Sequence, residues 1–445
     1  DECKPLTSPA THYGFASYLG NMYGVDTKVT SAVSRRDGDF LLGGQMGALN
    51  ALGSNTSLAH TDLTEEASGC ADTKNPMPGI FNESTGHQCM AQILTLEGAG
   101  CGYDGAPELS CGSPKSVSYV GSNATEHMRI SNETGTLIIA GPDGVLGLNH
   151  EANAVLWNAC AKCDGGVSNP KCAPLCGLHP GKIRVAIGPR GRVAAVLAFG
   201  SEPCLVNMFG HIVCPARTSP TLVVVLDVIG GGNEMARLEA DHFKQEGKVG
   251  DDFPLDVAVS DVDGLNSGVY VGGFKQAMVH HTPPAPEAPY DRLTRIAFLR
   301  KFDANVRAGE RAEYALRWST WDYAGSDLDE RDGSDTQITQ MVLDRSGRLV
   351  VGGETNGFEK ESLHLCLPGS HAQIITAHTV FIHDGSKQLG SHVVANRISK
   401  RPKETFRGTN PNSDLGGLVD QLDAKVAYVA IVDPVLGVVL KGQFL

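Results

Sequence analysis

The chain has 445 residues, 53 of them glycine, and a formal net charge of −13 at pH 7. A surface that binds nucleic acid needs an excess of basic residues, so this charge argues against a nucleic-acid partner. The sequence lacks an apolar run of about 18 residues, the length that a membrane-spanning helix requires. Short apolar runs alternate with Gly, Asn, Asp and Pro, which indicates an all-β protein with many turns.

Cysteines and N-glycosylation sequons are concentrated in the first half of the chain. The four sequons begin at Asn55, Asn82, Asn123 and Asn132. The twelve cysteines are Cys3, Cys70, Cys89, Cys101, Cys111, Cys160, Cys163, Cys172, Cys176, Cys204, Cys214 and Cys366. Together they predict a secreted glycoprotein with covalent N-glycans and disulfide-bonded cysteines, whose pairing the sequence leaves open. The start "DECKPL" is what we expect of a mature chain after removal of a signal peptide.

Five stretches, taken in chain order, read as strand, Gly-bearing turn and strand, and three of them continue into Gly-Gly. They are Val29–Gly47, His127–Gly144, Lys182–Gly200, Leu255–Lys275 and Gln337–Gly357. Apolar and polar residues alternate on both sides of each turn, which is the pattern that predicts a β-hairpin.

A second kind of hairpin alternates with the first and carries an Asp or Asn after its first strand. These hairpins are Gly144–Ala159 with Asn149, Thr221–Phe243 with Asp227, Arg295–Thr320 with Asp303, His378–Val393 with Asp384, and Ala427–Leu445 with Asp433. The spacing from Gly273 to Asp303 equals that from Gly353 to Asp384 to within one residue. We therefore expect the hairpin at 378–393 to complete the unit that begins at 337–357.

Two hairpins per unit predict four-stranded blades. The fold class predicted for the chain, 1–445, is a single all-β β-propeller of six or seven blades with disulfide-stapled loop insertions. Residues 51–118 are Cys-rich and are either an insertion or a divergent blade. Residues 160–181 hold four cysteines and are predicted to be a small disulfide-stapled insert, with a zinc site as the alternative. Cys204 and Cys214 flank a further predicted hairpin.

The stretch Arg295–Gly357 contains Trp318-Ser319-Thr320 and, before Gly352-Gly353, the turn Asp344-Arg-Ser-Gly347. In these residues the chain resembles the SBBP-type β-propeller repeat, and Phe15–Gly24 is similar to part of the same repeat. The resemblance implies a propeller and leaves the activity open, because propellers host many functions.

The loop Ser326–Asp335 is rich in carboxylates. Its residues Asp327, Asp329 and Asp332 are candidate ligands for Ca²⁺, which prefers oxygen donors, and a solvated turn is the alternative. Val223–Leu238 lacks the third glycine of a dinucleotide-binding fingerprint and fits the hairpin repeat better. The sequence has no Gly-x-Ser-x-Gly or His-Glu-x-x-His motif, so we expect no enzymatic activity and no cofactor other than Ca²⁺.

These observations favour a structural subunit of an extracellular glycoprotein filament or surface appendage. In general character the chain resembles the tubular flagellar-hair (mastigoneme) glycoproteins of heterokont algae, which implies self-assembly into a homopolymer on a flagellar appendage. Exchange of the end strand Val438–Leu445 between subunits is one route to such a polymer. The alternatives are a secreted carbohydrate-binding or adhesive propeller, with or without Ca²⁺, and a polysaccharide hydrolase or lyase with paired carboxylates.

Overall fold

The structure is a computed structural model, and it describes 23 segments of the chain. These are residues 27–46, 59–64, 67, 69–70, 81–82, 87–88, 91–98, 112–120, 125–141, 144–160, 182–199, 205–206, 212–213, 222–238, 252–262, 267–281, 290–305, 313–320, 336–344, 346–355, 378–384, 387–394 and 426–444. The chain divides into two compact units. One comprises Ser8–Gly200 with Val224–Met235, and the other comprises Asp1–Thr7, Ser201–Val223 and Ala236–Leu445.

The described residues form β-strands joined by turns. The strands up to residue 199 are β1 (Thr27–Ser34), β2 (Phe40–Met46), β3 (Ala59–Asp62), β4 (Phe81–Asn82), β5 (His87–Gln88), β6 (Ala91–Leu96), β7 (Pro114–Tyr119), β8 (His127–Ile130), β9 (Leu137–Gly141), β10 (Gly144–Leu148), β11 (Val155–Cys160), β12 (Lys182–Ile187) and β13 (Val193–Phe199). The later strands are β14 (Leu205–Val206), β15 (Ile212–Val213), β16 (Leu222–Asp227), β17 (Asn233–Leu238), β18 (Asp252–Ser260), β19 (Gly268–His281), β20 (Tyr290–Asn305), β21 (Glu313–Thr320), β22 (Thr336–Leu343), β23 (Leu349–Thr355), β24 (His378–Asp384), β25 (Lys387–Val394), β26 (Val426–Val432) and β27 (Val439–Phe444).

Five sheets are built from successive hairpins, which confirms the all-β prediction. Sheet 1 has the strand order β1-β2-β6-β7-β3, sheet 2 has β11-β10-β9-β8, and sheet 3 has β12-β13-β16-β17. Sheet 4 has the order β18-β19-β20-β21-β24-β25 and sheet 5 has β22-β23-β26-β27. Each sheet contains four strands in the order of two consecutive hairpins. Two short hairpins, β4–β5 and β14–β15, stand apart, and the second lies where Cys204 and Cys214 predicted one.

Segment 51–118 contributes three strands to sheet 1. Strands β6 and β7 follow β2 in antiparallel order, and β3 adds to β7 in parallel. The segment 160–181 lies outside the described residues apart from Cys160, the last residue of β11.

The predicted pairing of the hairpin at 378–393 with the hairpin at 337–357 is wrong. Strand β24 pairs with β21 of sheet 4, while β23 pairs with β26 of sheet 5. Both β24 and β26 contain consecutive apolar residues, Val380–Ile382 in β24 and Val429–Val432 in β26, and a strand edge can pair with any extended segment. Sequence spacing therefore could not distinguish the two partners.

Each Gly-Gly pair lies opposite a β-bulge in the first strand of its sheet. In sheet 5 the extra residue is Thr339, opposite Gly352-Gly353. Sheets 1 and 4 have the same irregularity opposite Gly43-Gly44 and Gly272-Gly273. A Cβ on the second glycine of any of the three pairs would lie 2.0–2.1 Å from a carbonyl oxygen of the first strand. The close approach of the bulged backbone therefore requires glycine there.

Successive sheets within a unit contact each other through their first strands, and we call each such contact a seam. At three seams, a backbone N–H of the later first strand donates to a buried side chain of the earlier one. The bonds run from Met128 N to Ser31 Oγ (3.1 Å, sheets 1 and 2), from Val185 N to His127 Nδ1 (3.0 Å, sheets 2 and 3) and from Met341 N to Asp256 Oδ2 (2.6 Å, sheets 4 and 5). Each buried polar group thereby has a partner across its seam.

Apolar side chains fill the seams around these bonds. One cluster joins Leu41 and Ile93 of sheet 1 to Met128 and Leu137 of sheet 2. A similar cluster, which includes Tyr270, Trp318, Ile338 and Met341, joins sheets 4 and 5. The hydrophobic core therefore lies between sheets, as expected for stacked four-stranded sheets.

A tryptophan on an outer strand packs against a glycine in the turn of the next sheet at two seams. A Cβ on Gly232 would lie 2.4 Å from Trp157, and a Cβ on Gly437 would lie 2.7 Å from Trp318. The indole N–H of Trp318 also donates to Pro434 O at 3.2 Å. The Trp-Ser-Thr motif of the repeat thus supplies a contact between sheets 4 and 5.

Candidate functional site

The last strand of a second hairpin recurrently carries a β-bulge. The extra residues are Lys115 in β7, Leu156 in β11, Arg317 in β21, Leu389 in β25 and Leu440 in β27. A bulge bends the strand and turns the extra side chain away from the regular alternation. These five positions therefore form a structurally equivalent set on the outer parts of the sheets.

Two of the bulged strands pair with a further strand along their outer edge, and we call these strands covered. In a covered strand the extra residue is a cation paired with a carboxylate. Strand β3 covers β7, and Lys115 Nζ lies 2.8 Å from Asp39 and 3.2 Å from Glu97. The buried Asp39 has its pKa lowered: desolvation by burial acts to raise it, but the bonds from Lys115 and Gly98 and the nearby positive charges outweigh that effect. Arg317 of β21, which β24 covers, donates to Asp303 at 2.6 Å.

Where the bulged strand is the last of its sheet, the extra residue is an exposed leucine. In the described part of the chain β11, β25 and β27 end sheets 2, 4 and 5. The exposed fractions of Leu156, Leu389 and Leu440 are 54, 60 and 52%. We call these three residues the edge leucines.

Exposed leucines at sheet edges are the opposite of the usual arrangement. Natural proteins protect an edge strand from unwanted pairing with charged side chains and with bulges. At these three edges the bulge is retained, but the charge is replaced by an apolar side chain. The edge leucines can therefore contact another surface through their side chains. The sequence analysis did not single them out; the only signal is an interrupted alternation, such as Val155-Leu156-Trp157.

A second feature of the sheets is the long hairpin β19–β20. Its strands pair continuously from Val269 opposite Phe302 to His281 opposite Tyr290. Strand β18 accompanies β19 only as far as Lys275, and β21 pairs with β20 only from Leu299 onward. Among the described residues, the far part of this hairpin is thus a ribbon of two strands, which is marginally stable by itself.

The contact between His60 and Tyr119 pairs two titratable side chains, as the acid–base pair of a catalytic site does. His60 Nδ1 lies 3.1 Å from the Tyr119 hydroxyl, and their rings stack. Burial lowers the pKa of His60 against the effect of Asp62, and burial together with Asp62 raises the pKa of Tyr119 to about 12. Both groups are neutral near pH 7, so their bond ties the edge strand β3 to β7 and supplies no anionic nucleophile.

The predicted site residues fall on both described and undescribed parts of the chain. Asn132 and Thr134 are exposed in the turn between β8 and β9. Asn82 belongs to β4, and Cys70 is disulfide-bonded. Asn55, Asn123 and the candidate calcium ligands Asp327, Asp329 and Asp332 lie outside the described residues, as do the other cysteines except Cys160. Within the described segments, no three His, Cys, Asp or Glu residues are grouped to hold a metal ion.

The turn that presents Asn132 is well defined. Ser131 N donates to Thr136 O, and Gly135 N donates to Ser131 O, both at 2.9 Å. The Ser131 hydroxyl accepts a bond from Thr134 N at 3.1 Å. A rigid, exposed turn therefore carries the sequon.

Comparison with known proteins identifies no relative by sequence: no family model and no curated protein matches the chain. The Pan2 WD40 domain of Neurospora crassa is 8% identical, with 73% of this chain and 91% of that chain covered and a TM-score of 0.21. PorZ, a surface component of the type-IX secretion system of Porphyromonas gingivalis, is 14% identical, with 94% of this chain and 52% of that chain covered and a TM-score of 0.20. This chain thus spans about half the length of PorZ. At these TM-scores, neither similarity bears on the function of this chain.

In the part of the chain that the structure describes, there is no helix with the length and hydropathy to cross a bilayer.

Proposed function

We propose that this chain is a β-propeller subunit of an extracellular glycoprotein filament or surface appendage that assembles from copies of itself. In this proposal the four-stranded sheets are propeller blades, and the described residues supply five of the six or seven expected. Successive sheets that pack first strand against first strand support a blade arrangement.

The observation that carries the assembly proposal is the placement of the edge leucines. Three sheet edges have an exposed leucine at the position where covered strands have a paired cation. Burial of the exposed half of each leucine against another subunit would contribute about 1 kcal/mol. A repeated apolar contact of this kind suits lateral packing of many identical subunits.

End-strand exchange receives no support from the C-terminal strand. Strand β27 pairs along its length with β26 of the same chain, from Tyr428 opposite Phe444 to Val432 opposite Val439. Side-chain contacts at the sheet edges are therefore the route that we propose for assembly.

The test is electron microscopy of negatively stained material with three chains compared at equal concentration. These are the wild type, the triple variant Leu156→Lys, Leu389→Lys, Leu440→Lys, and a control variant. The control Ile229→Lys, Val342→Lys, Leu436→Lys adds the same charge at side chains that are 62, 58 and 54% exposed but do not occupy these bulges.

We expect ordered filaments or sheets from the wild type and the control, and isolated particles from the edge-leucine variant. Loss of about 3 kcal/mol per subunit would raise the concentration needed for assembly roughly a hundredfold. Isolated particles from native wild-type material would refute the assembly proposal. Assembly of the edge-leucine variant at the wild-type concentration would refute the role of the edge leucines.

A further inference from the structure

The three seams use different side chains for the same bond, and only one of these is an imidazole. Ser31 and Asp256 accept the backbone N–H at the seams between sheets 1 and 2 and between sheets 4 and 5. His127 accepts it at the seam between sheets 2 and 3. We propose that this seam opens more readily as the pH falls, because His127 loses its bond to Val185 when its imidazole takes up a proton.

The hydrogen bond fixes the protonation state of His127. Val185 N donates to Nδ1 at 3.0 Å, so Nδ1 carries no proton and the single ring proton lies on Nε2. Protonation of Nδ1 would place two N–H donors against each other. His127 is 8% exposed, so water cannot readily replace the lost partner.

The charges around the imidazole oppose its protonation. Arg129 on the same strand and Arg184 on β12 are the charged groups that act on it. Their guanidinium groups donate to Met128 O and Ile183 O, which holds them beside the seam. Of the other strands that pack on β8, β9 places Ala140 opposite His127, and β1 contributes the uncharged Ser31 to the neighbouring Met128. Glu126 accepts a bond from Ile183 N at 3.3 Å and so helps to close the seam.

A second observation indicates that the seam between sheets 2 and 3 is less stable than the seam between sheets 4 and 5. The indole N–H of Trp157, which packs on Gly232 of sheet 3, is buried without a hydrogen-bond partner. The indole N–H of Trp318, in the equivalent place between sheets 4 and 5, donates to Pro434 O. A buried donor without a partner destabilises the closed arrangement. The seam between sheets 2 and 3 thus combines a titratable bond with an unsatisfied donor.

The direction of the pH effect follows from the two states of His127. Burial, Arg129 and Arg184 lower its pKa in the closed protein from 6.5 to about 3. The open state, with the ordinary pKa, binds one proton more between these values. The stability contributed by His127 is therefore complete above about pH 6.5 and decreases as the pH falls toward 3. The equilibrium constant for opening rises up to about tenfold per pH unit in this window.

The first test compares urea unfolding of the wild type with His127→Asn. The Asn side-chain oxygen occupies a place near that of Nδ1, so it can accept the Val185 bond but cannot take up a proton. Between about pH 7 and pH 5 we expect the unfolding constant of the wild type to rise about 30-fold more than that of the variant. The control His150→Asn changes a turn residue of the same sheet and should retain the wild-type pH dependence. Equal pH dependence of wild type and His127→Asn would overturn the proposal.

The second test uses the wild type alone and does not depend on a variant that folds. Mass spectrometry of imidazole C2 hydrogen exchange reports the protonation of each histidine as the pH is lowered. We expect His127 to stay neutral down to about pH 4 in the folded protein. At the same pH, amide exchange in β12 should accelerate relative to β1, whose bond to β8 uses the Ser31 hydroxyl, a group that does not titrate in this range. Titration of His127 near its ordinary pKa, or unchanged exchange of β12 relative to β1, would refute the pH-sensitive seam.

Discussion

Trp157 and Trp318 lie at equivalent bulged strands and contact equivalent glycines, but they differ in one hydrogen bond. The turn of sheet 5 places Pro434 O at 3.2 Å from the indole N–H of Trp318. In sheet 3 the glycine that contacts the indole, Gly232, donates to Asp227 O five residues earlier, whereas Gly437 of sheet 5 donates to Asp433 O four residues earlier. The indole N–H of Trp157 has no acceptor. The two turns thus differ in conformation, and only the turn of sheet 5 satisfies the buried donor.

Substitution of each tryptophan by phenylalanine separates the hydrogen bond from the packing. Both Trp318→Phe and Trp157→Phe remove ring volume, but only Trp318→Phe removes a hydrogen bond. We expect Trp318→Phe to lower the free energy of unfolding by about 1 kcal/mol more than Trp157→Phe does. Urea titration followed by circular dichroism gives both values. Equal losses for the two variants would show that the bond to Pro434 contributes nothing.

At the scale of the element, the Gly-Gly pair explains why the first hairpins share a sequence signature. In all three pairs the second glycine makes room for the carbonyl of the bulged strand, and in sheets 1 and 4 the first glycine also makes room for a methionine of the next sheet. Gly272, for example, lies where a Cβ would be 2.7 Å from Met341 Sδ. The Gly-Gly pair therefore recurs in the sequence because two strand backbones approach closely at the second glycine and, in sheets 1 and 4, the next sheet packs on the first.

In sheet 5 only the second glycine of the pair is closely approached by other atoms. A Cβ on Gly353 would lie 2.1 Å from Gln337 O and 2.6 Å from the Tyr428 hydroxyl, whereas the nearest atom to a Cβ on Gly352 is 3.8 Å away. Neither glycine has a left-handed φ. We expect Gly353→Ala to lower the free energy of unfolding by about 1–3 kcal/mol. Gly352→Ala should be neutral or stabilising by about 0.5 kcal/mol, because glycine weakens a strand. Thermal unfolding of both variants is the measurement, and equal losses would contradict the close approach at the bulge.

At the scale of the whole molecule, secretion and glycosylation are predictions that one turn can test. Asn132 is exposed on the turn between β8 and β9, where an N-glycan would meet no steric obstacle from its own turn. In protein secreted from eukaryotic cells, we expect Asn132→Gln to lose one glycan relative to the wild type. Thr134→Ser keeps the sequon and should keep the glycan.

Mass spectrometry after enzymatic glycan release identifies the modified asparagines. An unmodified Asn132 in material that carries glycans on other sequons would contradict the accessibility of this turn. Complete absence of N-glycans would remove the main argument for an extracellular assembly.

The sequence by itself determined the hairpins, because their turns are closed by neighbouring residues. Asp344 accepts bonds from Ser346 N and Arg348 N at 2.8 and 2.9 Å, and Asp433 accepts bonds from Val435 N and Leu436 N at 2.8 and 2.9 Å. Such side-chain to backbone bonds are local, so the pattern of Asp, Asn and Gly predicts them. The ten hairpins predicted from the two repeated patterns are all present in the structure.

Only the tertiary structure decided which hairpins become neighbours and which residues meet at their edges. The backbone edges of β24 and β26 offer the same donors and acceptors, so packing selects the partner of β23. The edge leucines depend on bulges, and an extra residue on one strand changes which face a side chain occupies. The seam of His127 joins two strands that are more than fifty residues apart in the chain, and no local pattern records that contact.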